Sequence, residues 1–404
     1  MLAVGVSAAA LVIGSVTADA GSFALKERSA RAQGLSFAGA TSGSGGLSSM
    51  GFNPAAIGLV APGFNNGEMS GGLSLVLPQA DGQVQLAGVP TGETVEAGRL
   101  AGISNGYVGY RLEDDILIGL ALYTPFGLAT QYDLGWTGQG DALTSKLLTL
   151  TVAPTFAYEP MDGLTFALSA NITYADARLT SSQINLEGHQ TSYSFGAGVL
   201  YRPTDSTSIG VAYQHGYNLT LSGSAQGPGT GGAIVPVSAS AELPSTISLG
   251  VTQGITDGFR LMGELQWQNW SVFDSIDITI NGAINQSDPQ NYDNAFFVAF
   301  GGEYDVSNDL TVRMGAAWDQ TPTNSGTLIA APITNRTARV PDEDRVWLSI
   351  GATYDVNDHM SLDFGYSYLF ALEDAVVGLR TAPGNTVVYD GGAHIFSIGG
   401  SMKF

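Results

Sequence analysis

The chain holds four histidines, His189, His215, His359 and His394, and no cysteine. Hydrolysis by a nucleophilic serine needs Ser, His and an acid or amide within hydrogen-bond reach. His359 and His394 read as strand starts at opposite ends of the fold, His215 lies inside an alternating segment without a serine partner motif, and no G-x-S-x-G elbow is present. Without cysteine, thiolate chemistry and most structural zinc sites are excluded. Asp342-Glu343-Asp344 brings three acids together, but adjacent acids lack the alternating ligand spacing of a calcium loop and read more plainly as a solvated loop or a cap. No phosphate-binding loop with its lysine occurs. The residue types therefore favour binding over catalysis, with no cofactor and no resident metal.

The charges that remain could bind a carboxylate. Arg260, Arg313 and Arg345 alternate onto the same faces as Glu264, Glu303, Asp319 and Asp363. The plainer reading is an ion-pair ladder that ties neighbouring strands together. The sharper one gives Arg313 or Arg345 spare donors for an acidic head group.

The elements that must carry these residues follow from composition. Hydrophobic residues make up 44% of the 404 and charged ones only 13%, about half the usual share of a soluble surface. Mean hydropathy is only +0.13, too low for a bundle of spanning helices. A transmembrane β-barrel, apolar outward and small or polar inward, fits both numbers together with the 54 glycines. The net charge of −21 argues against nucleic acid, since few cations are present to neutralise phosphates. An acidic exterior could hold divalent cations that bridge to lipopolysaccharide, although surface acid more often serves solubility.

Residues 1–20 read as an export signal, with an apolar stretch Leu2–Gly14 and a small-x-small site at Ala18-Asp19-Ala20. A basic start is missing. Residues 21–66 are rich in Gly, Ala and Ser and contain no clean strand. Such a segment cannot form its own core, so it must pack inside something else or stay unfolded. Residues 67–404 are expected to form the barrel.

From Glu68 onward the apolar pattern has period two, as in Leu362, Phe364, Tyr366, Tyr368 and Phe370 or in Leu261, Gly263, Leu265 and Trp267. About fourteen segments result: 68–77, 99–110, 115–124, 147–158, 163–178, 189–201, 207–222, 245–254, 258–271, 293–305, 309–319, 345–355, 359–370 and 392–404. Their connections alternate between short polar turns and longer loops at 78–98, 125–146, 179–188, 223–244, 272–292, 320–344 and 371–391. Outer-membrane barrels have short periplasmic turns, long outer loops and an even strand number. Aromatics near strand ends, Tyr107, Tyr110, Tyr123, Tyr158, Tyr174, Tyr201, Tyr304 and Trp270 among them, are expected to form interfacial girdles. The terminal Phe404 closes an alternating strand.

Several motifs resemble the FadL-type family of outer-membrane long-chain fatty acid and hydrocarbon transporters. They are Gly34-Leu35-Ser36 with Ala38-Gly39-Ala40, Asn53-Pro54-Ala55, Pro125-Phe126-Gly127-Leu128, Leu243-Pro244-Ser245 and Trp267-Gln268-Asn269-Trp270. Most specific is Asp319-Gln320-Thr321-Pro322 followed by Val340-Pro341-Asp342-Glu343-Asp344-Arg345-Val346-Trp347. The resemblance implies a monomeric fourteen-stranded barrel plugged by an N-terminal hatch. It implies passive uptake of hydrophobic molecules, with sideways release into the membrane near the third strand, here Ile116–Thr124 ahead of Pro125. The third outer loop, 179–188, is shorter than the family's usual one, which shifts the expected capture site to 125–146 and 223–244.

The expected partners are hydrophobic small molecules, membrane lipid and lipopolysaccharide. In the hatch, Phe23, Leu25, Phe37 and Phe52 are candidate pocket residues, and Asn53-Pro54-Ala55 a turn that latches the hatch in place. Leu128, Leu134, Trp136, Leu143, Ile234 and Val235 are candidates for an exposed outer capture surface, unless the loops pack on one another. The rival function is a general diffusion porin, which needs an open polar channel.

Overall fold

The computed structural model describes residues 23–60, 66–183, 185–227, 230–323 and 336–404. The segment read as an export signal lies outside them. Within them, fourteen antiparallel strands close into a barrel. In chain order they are β1 (Gly67–Leu86), β2 (Ala101–Arg111), β3 (Ile116–Tyr123), β4 (Thr144–Met161), β5 (Leu164–Thr180), β6 (Asn185–Thr204) and β7 (Thr207–Gln214). There follow β8 (Thr246–Thr256), β9 (Phe259–Gln268), β10 (Ala295–Asp305), β11 (Leu310–Asp319), β12 (Arg345–Asn357), β13 (Met360–Ala371) and β14 (Asn385–Lys403). Each pairs with the next, and the seam closes where β14 pairs with β1 from Glu68↔Lys403 to Leu86↔Asn385. Closure gives every wall strand a partner on both sides, as a lipid environment demands.

The expected facing holds. Leu265, Phe300 and Phe364 project outward, with Phe300 70% exposed, while Glu264, Glu303 and Asp363 are buried inward. Burying the same outward side chains in lipid is the apolar transfer that holds the wall in the membrane. Some aromatics depart from the expected girdle. Tyr107, Tyr123 and Trp270 are buried within the barrel, because they sit on its inward parity or on a segment that bends inward.

Two boundaries also differ. Segment 207–222 is not one strand: β7 stops at Gln214, and Asn218–Gln226 turns away to form a hairpin with Val235–Glu242. That hairpin pairs with the top of β6 at Ser222↔His189 and with Ser275–Ile280 at Val237↔Ile280. Regions read as loops at 78–98, 223–244, 272–292 and 371–391 are therefore largely strand, with Val89–Glu96 folding back on β1 and Ala375–Gly378 on β14. The expected loop 179–188 shrinks to a turn between Thr180 and Asn185. Above the membrane the outward strand face meets water instead of lipid, so the apolar alternation that marks the wall fades there. His394 consequently lies inside β14 rather than at its start.

Residues 23–60 fill the lumen. A short helix, α1 (Ala30–Gln33), is capped by Ser29, whose hydroxyl accepts from the Ala32 amide at 3.0 Å. Two 3-10 turns, Gly46–Gly51 and Pro54–Leu59, follow it down towards the short-turn end. Small residues let this irregular chain pass close to the wall.

Candidate functional site

The hatch begins at the outer end of the lumen. Its first described residues add a short bridge to the bent chain after β3: the Leu25 amide donates to the Pro125 carbonyl at 2.9 Å, and the Gly127 amide donates to the Phe23 carbonyl at 2.8 Å. Pro125 has no amide to contribute to a ladder, which fits its place at the bend. From Tyr123 to Thr130 every residue is buried, so the outward–inward alternation stops.

The same bend interrupts the wall. The β2–β3 ladder runs from Arg111↔Leu117 up to Gly106↔Leu122 and ends there. Above it, Gly127–Gln131 pairs with β4 on its other side, and contact with the β2 side resumes at the isolated bridge Gly98↔Thr130. Between these points Ala101–Asn105 keeps its pairing with β1 but leaves the register with β3.

Beside this interruption stands an aromatic cluster. Phe23 packs edge-on against Trp270 at 4.9 Å and Phe273 at 5.4 Å, and lies 5.9 Å from Phe126. Tyr292, Leu128, Leu147, Leu219, Leu243 and Val340 complete it. Such edge-to-face pairs add to the area term that already favours burial. Of the candidate pocket residues, Phe23 therefore belongs to this upper cluster. Leu25, Phe37 and Phe52 lie lower, in a separate packed cluster where Phe37 meets Trp347 at 5.5 Å and Phe52 at 5.8 Å.

Asn53 caps the second 3-10 turn by accepting from the Ala55 amide at 2.9 Å. Its own amide group donates to the Thr41 carbonyl at 2.8 Å and to the Val199 carbonyl of β6 at 3.0 Å. One side chain thus ties two stretches of hatch to the wall, while Pro54 presets the turn. Glu264 of β9 does the converse, accepting from both the amide and the hydroxyl of Thr41.

The arginines face acids. Arg313 lies 3.4 Å from Glu303 and 3.9 Å from Asp363, beneath the hatch at Gly34. Arg345 lies 3.2 Å from Asp342 and 3.7 Å from Asp319. Arg260 forks onto Asp305 and reaches Glu303 at 2.5 Å. This is the ion-pair ladder. Asp342 and Glu343 belong to the same system, Glu343 pairing with Arg336 at 2.7 Å. Lys26 and Glu27 of the hatch are enclosed, and burial pushes the Lys26 ammonium below its usual range and the Glu27 carboxyl above its own.

A model of the family described as outer membrane protein transport protein, OMPP1/FadL/TodX, matches residues 11–404. The chain belongs to this family. The long-chain fatty acid transport protein of Escherichia coli K12 is 23% identical over 346 residues, covering 72% of this chain and 76% of its own. Outer membrane protein P1 of Haemophilus influenzae is 23% identical over 311 residues, 66% of this chain and 65% of P1, so the match spans just under two thirds of that relative. In three dimensions a Pseudomonas aeruginosa FadL homologue aligns with a TM-score of 0.82 at 21% identity, covering 95% of this chain and all of that one. The Pseudomonas putida toluene transporter TodX aligns at 0.68 and 16% identity over 93% of this chain and 98% of its own, which shows a shared fold. As a member of this family the chain is an outer-membrane barrel.

For this FadL-family barrel, the expected capture residues divide. Leu134 and Ile234 are exposed, at 81% and 71%. Leu128 and Trp136 are not, which corrects the expectation for them. Leu128 follows the inward bend into the aromatic cluster. Trp136 stacks on Tyr132 at 4.4 Å and donates to the Ala142 carbonyl, forming a small core within the outer loops. Leu143 packs beside that core, half-buried. Phe273, Tyr292 and Lys26 escaped the sequence reading. A charged Lys26-Glu27 pair within a Gly/Ala/Ser-rich plug was the one available signal for the last.

Proposed function

We propose that this protein carries hydrophobic molecules passively across the outer membrane, long-chain fatty acids or aromatic hydrocarbons, and releases them sideways through the wall between β2 and β3. The observation that carries this reading is a coincidence of place. The wall ladder stops where the aromatic cluster of Phe23, Phe126 and Trp270 stands, and the hatch is hydrogen-bonded to that same bend. An apolar solute on the cluster would have a lipid-facing interruption beside it and a filled lumen below. The relatives named for fatty acid and toluene transport support the substrate class. The exposed Ile234 and Leu134 are the outer-surface candidates for first contact. The unit that acts is a single barrel, since closure and plug both come from one chain, and lipopolysaccharide is the leaflet its acidic loops would meet.

The test is uptake of radiolabelled oleate and of toluene by a deletion strain with and without the restored gene. Restored uptake of either one is expected. Equal uptake in both strains would end the proposal. The rival reading, a diffusion porin, predicts large steady ion currents in planar bilayers, whereas a barrel whose hatch residues Ala32 to Ala40 are buried throughout predicts small ones.

A further inference from the structure

The outer surface of the wall carries a feature that transport does not use. Two neighbouring outward rows of side chains cross seven strands, from Phe259 on β9 to Leu75 on β1, and enclose a groove of about 1090 Å³. Its bed is formed by the small residues Gly302 and Ala352, and the more exposed Tyr304 and Phe364 stand over them. The cause lies on the inner side of the same strands. Gly301, Gly351 and Gly365, next in sequence to these residues, let the wall settle onto the hatch, so that a Cβ on Gly351 would come within 2.8 Å of the Gly34 Cα. The ladders behind the groove run unbroken from β9 through β14. It therefore has no way into the lumen and fills only from the membrane. An empty groove in hydrocarbon would forfeit dispersion contacts along its whole lining. A chain already in the bilayer gains no hydrophobic transfer by entering, so packing and head-group chemistry decide the occupant.

The lower mouth of the groove, at Phe259 and Tyr304, opens at the short-turn end, the periplasmic one in barrels of this class. Asp257, Asp309 and Asp355 are all exposed there. The Asp305 amide donates to the Gly258 carbonyl and the Asp355 amide to the Asp309 carbonyl, each at 2.9 Å, which joins the three turns into one acidic rim. Arg260 beside them is already taken by Glu303 and Asp305. His359 and Lys403 stand further round, below strands on which the groove has climbed to Phe364. Such a rim repels an anionic head group and attracts an ammonium. We propose that the groove seats an acyl chain of a zwitterionic phospholipid of the periplasmic leaflet, a phosphatidylethanolamine, with its ammonium at the rim of Asp257, Asp309 and Asp355. The site lies apart from the release path between β2 and β3 and does not depend on the transport reading.

The test is native mass spectrometry of the purified, delipidated full chain in neutral detergent, given palmitoyl-oleoyl phosphatidylethanolamine and the phosphatidylglycerol with the same chains in equal amounts. Wild type should retain one phospholipid, phosphatidylethanolamine about threefold more often than phosphatidylglycerol, the usual size of exposed charge pairing. Ala352→Trp fills the bed and should abolish the retained lipid, whereas Leu168→Trp, at an outward position of β5 that is 62% exposed, should leave it. Ala352→Leu reads the same bed if Ala352→Trp fails to give a heat-modifiable barrel. Asp309→Asn combined with Asp355→Asn should bring the two lipids level without loss of chain binding. No retained lipid in wild type, or equal loss in Ala352→Trp and Leu168→Trp, overturns the proposal. So does a head-group preference that is absent, reversed or unchanged in the aspartate variant. A dimer that Ala352→Trp dissolves would give the groove to a second copy of this chain and overturn it as well.

Discussion

The hatch meets the barrel in two contrasting ways. Against β10 to β14 it lies backbone to backbone. Gly301, Gly315, Gly351, Gly365 and Gly399, one from each of five successive strands, face the segment Ala30–Leu35, and a Cβ on Gly315 would fall on the Leu35 carbonyl. A Cβ on Gly351 would come within 2.8 Å of the Gly34 Cα and of the Phe364 carbonyl. On the other side, around β2 and β3, the contacts are made by side chains, Ile57, Val60, Leu47 and Met50 below and the aromatic cluster above. The first wall has a continuous ladder and the second an interrupted one. Backbone contact is rigid because neither side can rotate away. Side-chain contact can rearrange rotamer by rotamer. The difference places the anchor of the plug on one wall and its freedom to move on the other, where release is proposed.

The largest expected effect attacks the second wall. Where the ladder is missing, aromatic packing must supply the cohesion. Phe126→Ala removes a ring that is only 7% exposed and touches Phe23, Trp270 and Tyr217. A loss of about 3 kcal/mol or more is expected from the cavity left behind. Denaturant unfolding in detergent measures it, and oleate uptake should fall with it. A change under about 1 kcal/mol would mean that the bend holds itself.

Next comes the first wall. Gly315→Val forces a branched side chain into the Leu35 backbone, which the neighbours Gly301 and Gly351 cannot relieve. Overpacking of this kind costs about 1–3 kcal/mol. The hatch should lift from the wall, so single-channel recordings are expected to show enlarged or flickering conductance. Quiet channels with unchanged stability would show that the glycine row is not the anchor.

How much of this contrast was legible beforehand follows from where lipid imposes a pattern. The wall strands were readable because Phe300, Leu265 and Phe364 must meet lipid while Glu303 and Asp363 must not. The plug was readable from composition alone. The outer hairpins were not: above the lipid, Asn218–Gln226 and Val235–Glu242 bury only Leu219, Ala225 and Val237, so they carry no period that separates strand from loop. Nor was the fate of Leu128 and Trp136, whose burial depends on which way a bend turns, a matter of tertiary packing. Arg313 and Arg345 could be placed inward, but only coordinates show that acids already face them. Lys26, in a segment without periodicity, gave no face to assign.

Asn53 tests whether the latch or the cap matters. Asn53→Asp keeps the oxygen that accepts from Ala55 but removes the donors to Thr41 and Val199. The buried Thr41 carbonyl and the part-buried Val199 carbonyl each lose a partner and a charge arrives beside them, so a loss of about 1–3 kcal/mol is expected. Asn53→Ser, which keeps a capping oxygen without the charge, should cost less. Equal stability for wild type and Asn53→Asp would reduce the motif to a local turn.

The smallest expected effect is the one that makes the comparison strict. Gly109→Ala on β2 adds the same inward methyl that Gly315→Ala would add on β11. Its Cβ would meet Val60 Cγ2 at 2.7 Å, Leu47 Cδ1 at 3.1 Å and Ile57 Cγ1 at 3.2 Å, all outer atoms of side chains. These can turn aside, and alanine also limits the unfolded chain more than glycine does, which offsets part of the crowding. A net change within about 1 kcal/mol is expected for Gly109→Ala, against a clear loss for Gly315→Ala. Since the substitution is identical, the difference between the two unfolding midpoints isolates what stands opposite each glycine. Equal losses would show both walls to be equally unyielding, and release between β2 and β3 would then need a cause other than a softer seat for the plug.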